Sequence, residues 1–507
     1  MTIAFDPLTS TDPDSDGPGE TFDSLDPANG DVVGTHAVHT EADVRRAVER
    51  AHEAAQWWSS LTFDQRKQHL GEWNAAITRR IQALAHLMHR ETGKPHGDAL
   101  LECALGIDHL AWAAGHAGKV LGRQKVSSGM LQVNQAATVE YRPLGVVGVI
   151  GPWNYPVFTP MGSIGYALAA GNAVVFKPSE LTPGIGEFLA RTFEETVGRP
   201  VLQVVTGYGE TGAALCRAGV DKIAFTGSTA TGKRVMAACA ETLTPVVIEA
   251  GGKDAVIVDA DADLEAAAGA TLWGACSNAG QTCTGVERVY VHEQVYDEFV
   301  SRLVDKAKDL RAGADAPVGP ITLPKQLPII ASHIQDALDR GGRALVGGAD
   351  AVGERYVQPT VLVDVPEDSL AVQEETFGPT VTVAKVRDMD EAIARTNATR
   401  YGLGSTVFAK ARGMEIAGRI RSGMTAVNSV ISFAAIPSLP FGGVGDSGFG
   451  RIHGADGLKE FTYAKAIARQ RFKPVMALTS FARTADDEAK LVQVLTLLHA
   501  RRSAIRD

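Results

Sequence analysis

Cysteine is scarce in this 507-residue chain: Cys103, Cys216, Cys239, Cys276 and Cys283 are the whole complement. An odd, scattered set of five argues against a disulfide framework and a thiolate metal cluster, and it points to a reducing compartment. No metal is expected. Basic charge is also in deficit, with 49 Lys and Arg against 59 Asp and Glu, a formal charge of −10. That balance argues against nucleic acid and anionic membrane surfaces as general partners. No apolar run approaches the ~20 residues that a transmembrane helix needs. The first twenty residues, MTIAFDPLTSTDPDSDGPGE, have neither the basic nor the apolar segment of a secretory signal, so a cytoplasmic location is expected.

What the chain has in quantity is small and apolar side chains: 45% apolar residues and 53 glycines, with 23 prolines as punctuation. Its length exceeds what one hydrophobic core organises, so two or three domains are expected. Residues 1–21, rich in Asp, Pro, Gly and Ser, read as a disordered N-terminus. From Glu41 to about Leu121 the period is helical, and RRIQALAHLMHRETGK stops at Gly-Lys-Pro. Residues 131–142 read as extended strand. Short apolar runs then alternate with helical stretches: GVVGVI (145–150), NAVVFK (172–177), VLQVV (201–205), KIAFTG (222–227), PVVIEA (245–250) and AVIVD (255–259). That alternation predicts an α/β protein with a Rossmann-like, doubly wound parallel sheet. A second α/β alternation runs from 260 to about 440. A Gly-rich loop (440–451), a strand EFTYAKAIA (460–468) and a tail containing the amphipathic LVQVLTLLHARR follow.

Four segments carry reactive side chains at strand ends. In GPWNYP (151–156) two prolines hold Asn154 at the carboxyl end of a strand, where α/β sheets bind ligands and where a side-chain amide can donate to an oxyanion; a plain Pro-rich turn is the competing reading. In FKPSE (176–180), Lys177 and Glu180 suit cofactor hydroxyls or phosphate, against the alternative of a solvated loop. In FTGSTATGKR (225–234) a strand passes into a helix N-terminus fit for phosphate. Arg234 stands where a nucleotide-triphosphate loop needs Ser or Thr, which argues against an NTPase, and the tight GxGxxG fingerprint is missing. The fourth is a pair. EAGGK (249–253) puts Glu249 at the end of a buried strand, and NAGQTCTG (278–285) puts Cys283 in a polar, Gly-rich loop free of bulky apolar neighbours. A thiolate there is an accessible nucleophile and a nearby carboxylate can activate water. The other four cysteines lie in apolar, helical-looking stretches and read as core thiols.

Taken together these segments resemble the aldehyde dehydrogenase superfamily. PWNYP, KPSE, FTGS, Glu-x-Gly-Gly-Lys, GQTC, EETFGP (374–379) and PFGG follow the family's order and spacing over roughly residues 22–470. The resemblance implies NAD(P)-linked oxidation of an aldehyde to the carboxylate. Cys283 would attack the carbonyl, Asn154 and the Cys283 N–H would hold the oxyanion, and Glu249 would deprotonate the water that hydrolyses the thioester. It implies cofactor contacts at Pro152, Trp153, Lys177, Ser179, Glu180, Gly227, Ser228, Glu375 and Phe377. NAD is expected to be preferred, with NADP accepted. It further implies a cofactor domain (22–125 and 144–249), a catalytic domain (250–440), a small β oligomerisation element (126–143 and 456–470) and a C-terminal tail (471–507). A homodimer or tetramer is expected.

Three departures stand out. Ala250 replaces the usual leucine, Gly445 stands where many members carry lysine, and Ile452 follows Arg451 where some place a glutamate, so that glutamate's proposed proton-relay role is not carried over. The alternatives are a coenzyme A-acylating member, which would lack Glu249, and a non-enzymatic member of the fold, which has no need to keep Cys283, Glu249 and Asn154 together. No arginine lies in 428–440 or around Cys283, which disfavours a carboxylate-bearing substrate; Tyr155, Phe158 and Phe433 are candidates for an apolar entrance, or for ordinary core.

Overall fold

The computed structural model describes residues 19–474, 476 and 478–500. Of the N-terminus expected to be disordered (1–21), residues 1–18 lie outside the described residues; Thr21 already pairs with Ala37 in a hairpin of Thr21–Leu25 and Val32–Ala37. The chain divides into two compact units, one holding the segments up to Val120 and Pro143–Tyr463, the other Leu121–Arg142 and the residues from Ala464 onward.

In the first unit two sheets are flanked by helices, as the Val/Ile-rich runs predict. The six-stranded sheet has the spatial order Gly448–Phe449, Val246–Ala250, Lys222–Gly227, Val146–Ile150, Ala173–Lys177, Leu202–Val204. The five strands expected from the apolar runs are parallel, and only Gly448–Phe449 runs against its neighbour, with Gly448 opposite Glu249. That two-residue strand corrects the reading of 440–451 as loop throughout. The chain starts at the centre, on Val146–Ile150, winds outward through 173–177 and 202–204, then returns to fill the other side. The winding therefore reverses between Val146–Ile150 and Lys222–Gly227, and open α/β sheets bind ligands outside the strand ends at such a point. Residues 151–154 and 227–228 lie at those ends. Helix Glu41–Ser60 packs on strands Ala173–Lys177 and Val146–Ile150, and helix Phe63–Arg79 packs on helices Pro183–Val197 and Phe158–Ala170; their buried Trp58 and Trp73 donate to Leu168 O (2.8 Å) and Thr192 Oγ1 (3.1 Å). Helix Phe158–Ala170 is buried at every position.

The run 255–259 does not extend this sheet. Strand Asp254–Val258 pairs in parallel with Val286–His292 and Ser405–Phe408 within a second sheet of seven strands, six of them parallel. Only Gly251–Lys253 separate the two sheets along the chain.

The second unit is a three-stranded sheet in the order Thr462–Gln470, Gln135–Pro143, Gln124–Val126, with Glu140 bonded to Arg123 and Arg142. Its helix Ala485–His499 opens on a capping box between Thr484 and Asp487. Among the described residues no helix is long and apolar enough to cross a membrane.

Candidate active site

Glu249 stands at the crossing between the two large sheets, 3% exposed. Neither carboxylate oxygen is satisfied at hydrogen-bonding geometry, although the Cys283 thiol and the Thr226 hydroxyl stand beside it. Burial outweighs their help and pushes the carboxyl up to about 8.

Cys283 is reached through three successive left-handed residues, Asn278 (φ 50°), Ala279 (φ 55°) and Gly280 (φ 72°). For alanine that conformation costs about 1–2 kcal/mol, so the surroundings must enforce it. Gln281 does so: its Nε2 donates to Asn278 O (2.9 Å) and Pro320 O (3.3 Å), and its Oε1 accepts from Thr322 N (2.8 Å). At Gly280 any side chain would strike the backbone of Gly378. Cys283 alone among the cysteines is partly exposed; the other four are buried. The expectation of an open polar loop holds only in part, because Thr282 and Thr284 on either side are buried. Burial, followed by the Glu249, Asp254 and Glu375 carboxylates, raises the thiol well above its ordinary range. The thiol is therefore protonated at rest, with a high-pKa carboxyl beside it.

Asn154 follows Val146–Ile150 and lies against the cysteine loop. Its Nδ2 donates to Gln281 O (3.0 Å), its carbonyl accepts from Asn278 Nδ2 (3.1 Å), and the Tyr155 hydroxyl bonds Thr282 Oγ1 (3.0 Å). The structure thus brings Asn154, Glu249 and Cys283 together. A cavity of about 190 Å³ opens onto Cys283 between Tyr155, Phe158, Trp273, Val430 and Phe441. Phe433, a candidate for this wall, does not line it; its ring lies tilted against that of Phe441, 6.5 Å away. Lys94 and Glu102 also line the cavity, buried and paired with each other. Sequence reasoning missed both, taking Gly-Lys-Pro only as a helix stop; the signal was a single Glu in the apolar run ALLECALGI.

The residues expected at the cofactor form two groups. At the end of Ala173–Lys177, the buried Lys177 lies 3.7 Å from the half-exposed Glu180, and Ser179 Oγ accepts from Leu181 N (3.2 Å), shaping the turn. Ser228 caps helix Thr229–Ala240 by accepting from Thr231 N (3.3 Å), directly after Gly227. The second group joins the sheets. Glu375 reaches over the crossing to accept from Gly252 N (3.1 Å), and burial raises its carboxyl to about 8. Phe377, left-handed at φ 53°, meets Trp153 edge to face at 5.6 Å, beside the partly exposed Pro152. Its N–H and that of Thr376 donate to Glu287, which in turn holds Lys253.

Residues 14–467 match the model of the aldehyde dehydrogenase family. The chain belongs to that family. It is an oxidoreductase that acts on aldehydes with NAD(P). The enzyme is similar, at 38% identity over 89% of this chain and 91% of the relative, to a mitochondrial aldehyde dehydrogenase of Leishmania tarentolae. It is 36% identical to a 4,4'-diapolycopene aldehyde oxidase of Methylomonas sp, over 91% of this chain and 86% of the relative. Among solved structures, PnpE in complex with nicotinamide adenine dinucleotide superposes with a TM-score of 0.84 at 36% identity, covering 90% of this chain and 95% of PnpE.

Proposed function

We propose that this aldehyde dehydrogenase hydrolyses its acyl-enzyme, takes apolar aldehydes and prefers NAD, with Cys283 as nucleophile, Asn154 as oxyanion donor and Glu249 as base. The observation that carries the reading is a buried Glu249 carboxyl with both oxygens unsatisfied beside the one partly exposed cysteine. A buried, unpaired carboxylate is costly, and a site for proton transfer explains why it is kept. The thiol releases its proton to solvent as sulfur attacks the carbonyl carbon. The new oxyanion accepts from the Asn154 amide and the Cys283 N–H. When bound, NAD supplies the hydride acceptor that converts the thiohemiacetal to a thioester. Glu249 then takes a proton from water, whose oxygen displaces the Cys283 sulfur and frees the acid.

The cofactor residues suit a dinucleotide: a helix N-terminus at Ser228, a buried cation and a carboxylate at Lys177 and Glu180, and an aromatic pair with Glu375. Glu180 partly neutralises Lys177 and would repel a 2′-phosphate, which favours NAD over NADP. The apolar cavity wall favours aldehydes without charge, and the name of the diapolycopene relative points the same way. We further read 22–125 with 144–249 as the cofactor domain, 250–440 as the catalytic domain, and 126–143 with 456–470 as an oligomerisation element. The exposed strand Thr462–Gln470, paired on one side only, then supplies the edge for a homodimer or tetramer. Five unpaired thiols suit a cytoplasmic setting.

The test is Glu249→Gln followed by rapid mixing with aldehyde and NAD. The expected result is one burst of NADH per site and little turnover, unaltered by coenzyme A. Turnover at the parent rate would reject Glu249 as the base.

A further inference from the structure

Lys94 and Glu102 are each 1% exposed, and they come from the Gly-Lys-Pro turn and from helix His96–Leu121. Burying such a pair seldom adds stability, since apolar replacements of similar volume are often neutral or better. Its geometry suggests another use. Lys94 Nζ bonds Glu102 and also donates to the carbonyl of Asn154 (2.9 Å), and it stands 4.0 Å from the centre of the Tyr155 ring. Glu102 Oε1 accepts from Val157 N (2.8 Å) and Phe158 N (3.1 Å), the opening N–H groups of helix Phe158–Ala170, which has no side-chain cap of its own. The pair therefore grips both ends of the segment 154–158.

The cysteine loop also holds this segment, through Asn278, Gln281 and Thr282. The Asn154 carbonyl is shared between Lys94 and Asn278, so the rotation of this peptide, and with it the direction of the Asn154 amide, depends on both contacts. We propose that Lys94 and Glu102 are positioning residues that aim Asn154 at the oxyanion formed on Cys283. This rests on the reading of Asn154 as the oxyanion donor.

The experiment is a double-mutant cycle on the full-length enzyme, reading the rate constant of the NADH burst at saturating NAD and aldehyde. Asn154→Ala is expected to slow the burst about 10²–10³-fold, the effect of losing one oxyanion donor. Lys94→Met is expected to slow it about 10²-fold, the effect of misplacing such a group by ~1 Å, with the Kd for NAD unchanged. Combined with N154A, K94M is expected to cost nothing further, because a residue that acts through another loses its effect when that other is gone. A merely structural lysine would give equal losses in both backgrounds, and that result, or a K94M burst at the parent rate while N154A is impaired, overturns the proposal. An N154A burst at the parent rate would instead overturn the oxyanion assignment beneath it. If K94M does not fold, Glu102→Gln carries the test: it keeps an acceptor for Val157 and Phe158 but frees Lys94. The same slowing, again absent in the N154A background, is expected.

Discussion

Replacing Glu249 by Gln should stabilise the fold, and by more at pH 8 than at pH 6. Burial moves this carboxyl from an ordinary 4.5 to about 8. Between those values the folded protein holds the proton more tightly than the unfolded chain does. Stability therefore falls as pH rises from 4.5, and levels off above 8. At 1.36 kcal/mol per factor of ten in proton affinity, the accumulated loss is about 2 kcal/mol at pH 6 and about 4 kcal/mol at pH 8, where half the native molecules are ionised. Gln carries no such charge, and the other high-pKa carboxyls, Glu91, Asp254 and Glu375, titrate in both proteins and largely cancel. The gain from E249Q should thus be about 2 kcal/mol greater at pH 8 than at pH 6. Denaturant unfolding of parent and variant without NAD, at both pH values, measures it. Equal gains at the two pH values would refute the reasoning, because the Glu249 proton would then not be bound more tightly by the fold than by the unfolded chain.

Three other outcomes follow from the same geometry. Cys283→Ser should abolish NADH formation, since a hydroxyl is far harder to ionise than a thiol and the neighbouring Glu249 is mostly protonated at neutral pH and no strong base; residual steady turnover would reject Cys283 as nucleophile. Turnover of the parent should climb with pH, reach half its maximum near 8 as Glu249 ionises and level off above that, and a flat profile from pH 6 to 9 would contradict a base of that strength. Glu180→Gln should raise the ratio of kcat/KM for NADP over NAD on the order of tenfold by releasing Lys177 from its 3.7 Å partner; an unchanged ratio would show that Glu180 does not discriminate.

The strands were legible because doubly buried parallel strands leave near-continuous Val/Ile runs, and 146–150, 173–177 and 222–227 announce themselves in that way. The hairpin Thr21–Ala37 was not, although Phe22 and Ser24 alternate inward as a strand should; Asp, Pro and Gly on both sides masked a signal five residues long. The partition of 246–250 and 254–258 between different sheets was equally hidden, since both runs look alike and only tertiary pairing separates them. At the site, Asn154, Glu249 and Cys283 could be singled out because each sits in a local pattern of prolines or glycines. Lys94 and Glu102 meet the segment 154–158 from more than fifty residues away, and no local pattern records that contact.

Lys94, Glu102, Ala279 and Phe377 share a conflict with their own preferences. Lysine and glutamate avoid full burial, alanine avoids the left-handed region that Ala279 occupies, and a bulky aromatic avoids it as Phe377 does not. Each of these costs free energy where it stands, and each adjoins Cys283, Asn154 or Glu375. Cys283, Glu249 and Glu375 show the same property in their ionisation, all three displaced upward by burial. The fold tolerates such placements where its large, well-packed sheets hold the loops rigidly enough to offset them. A sequence shows residue types but not their placement, so these conflicts stay invisible until the topology is known.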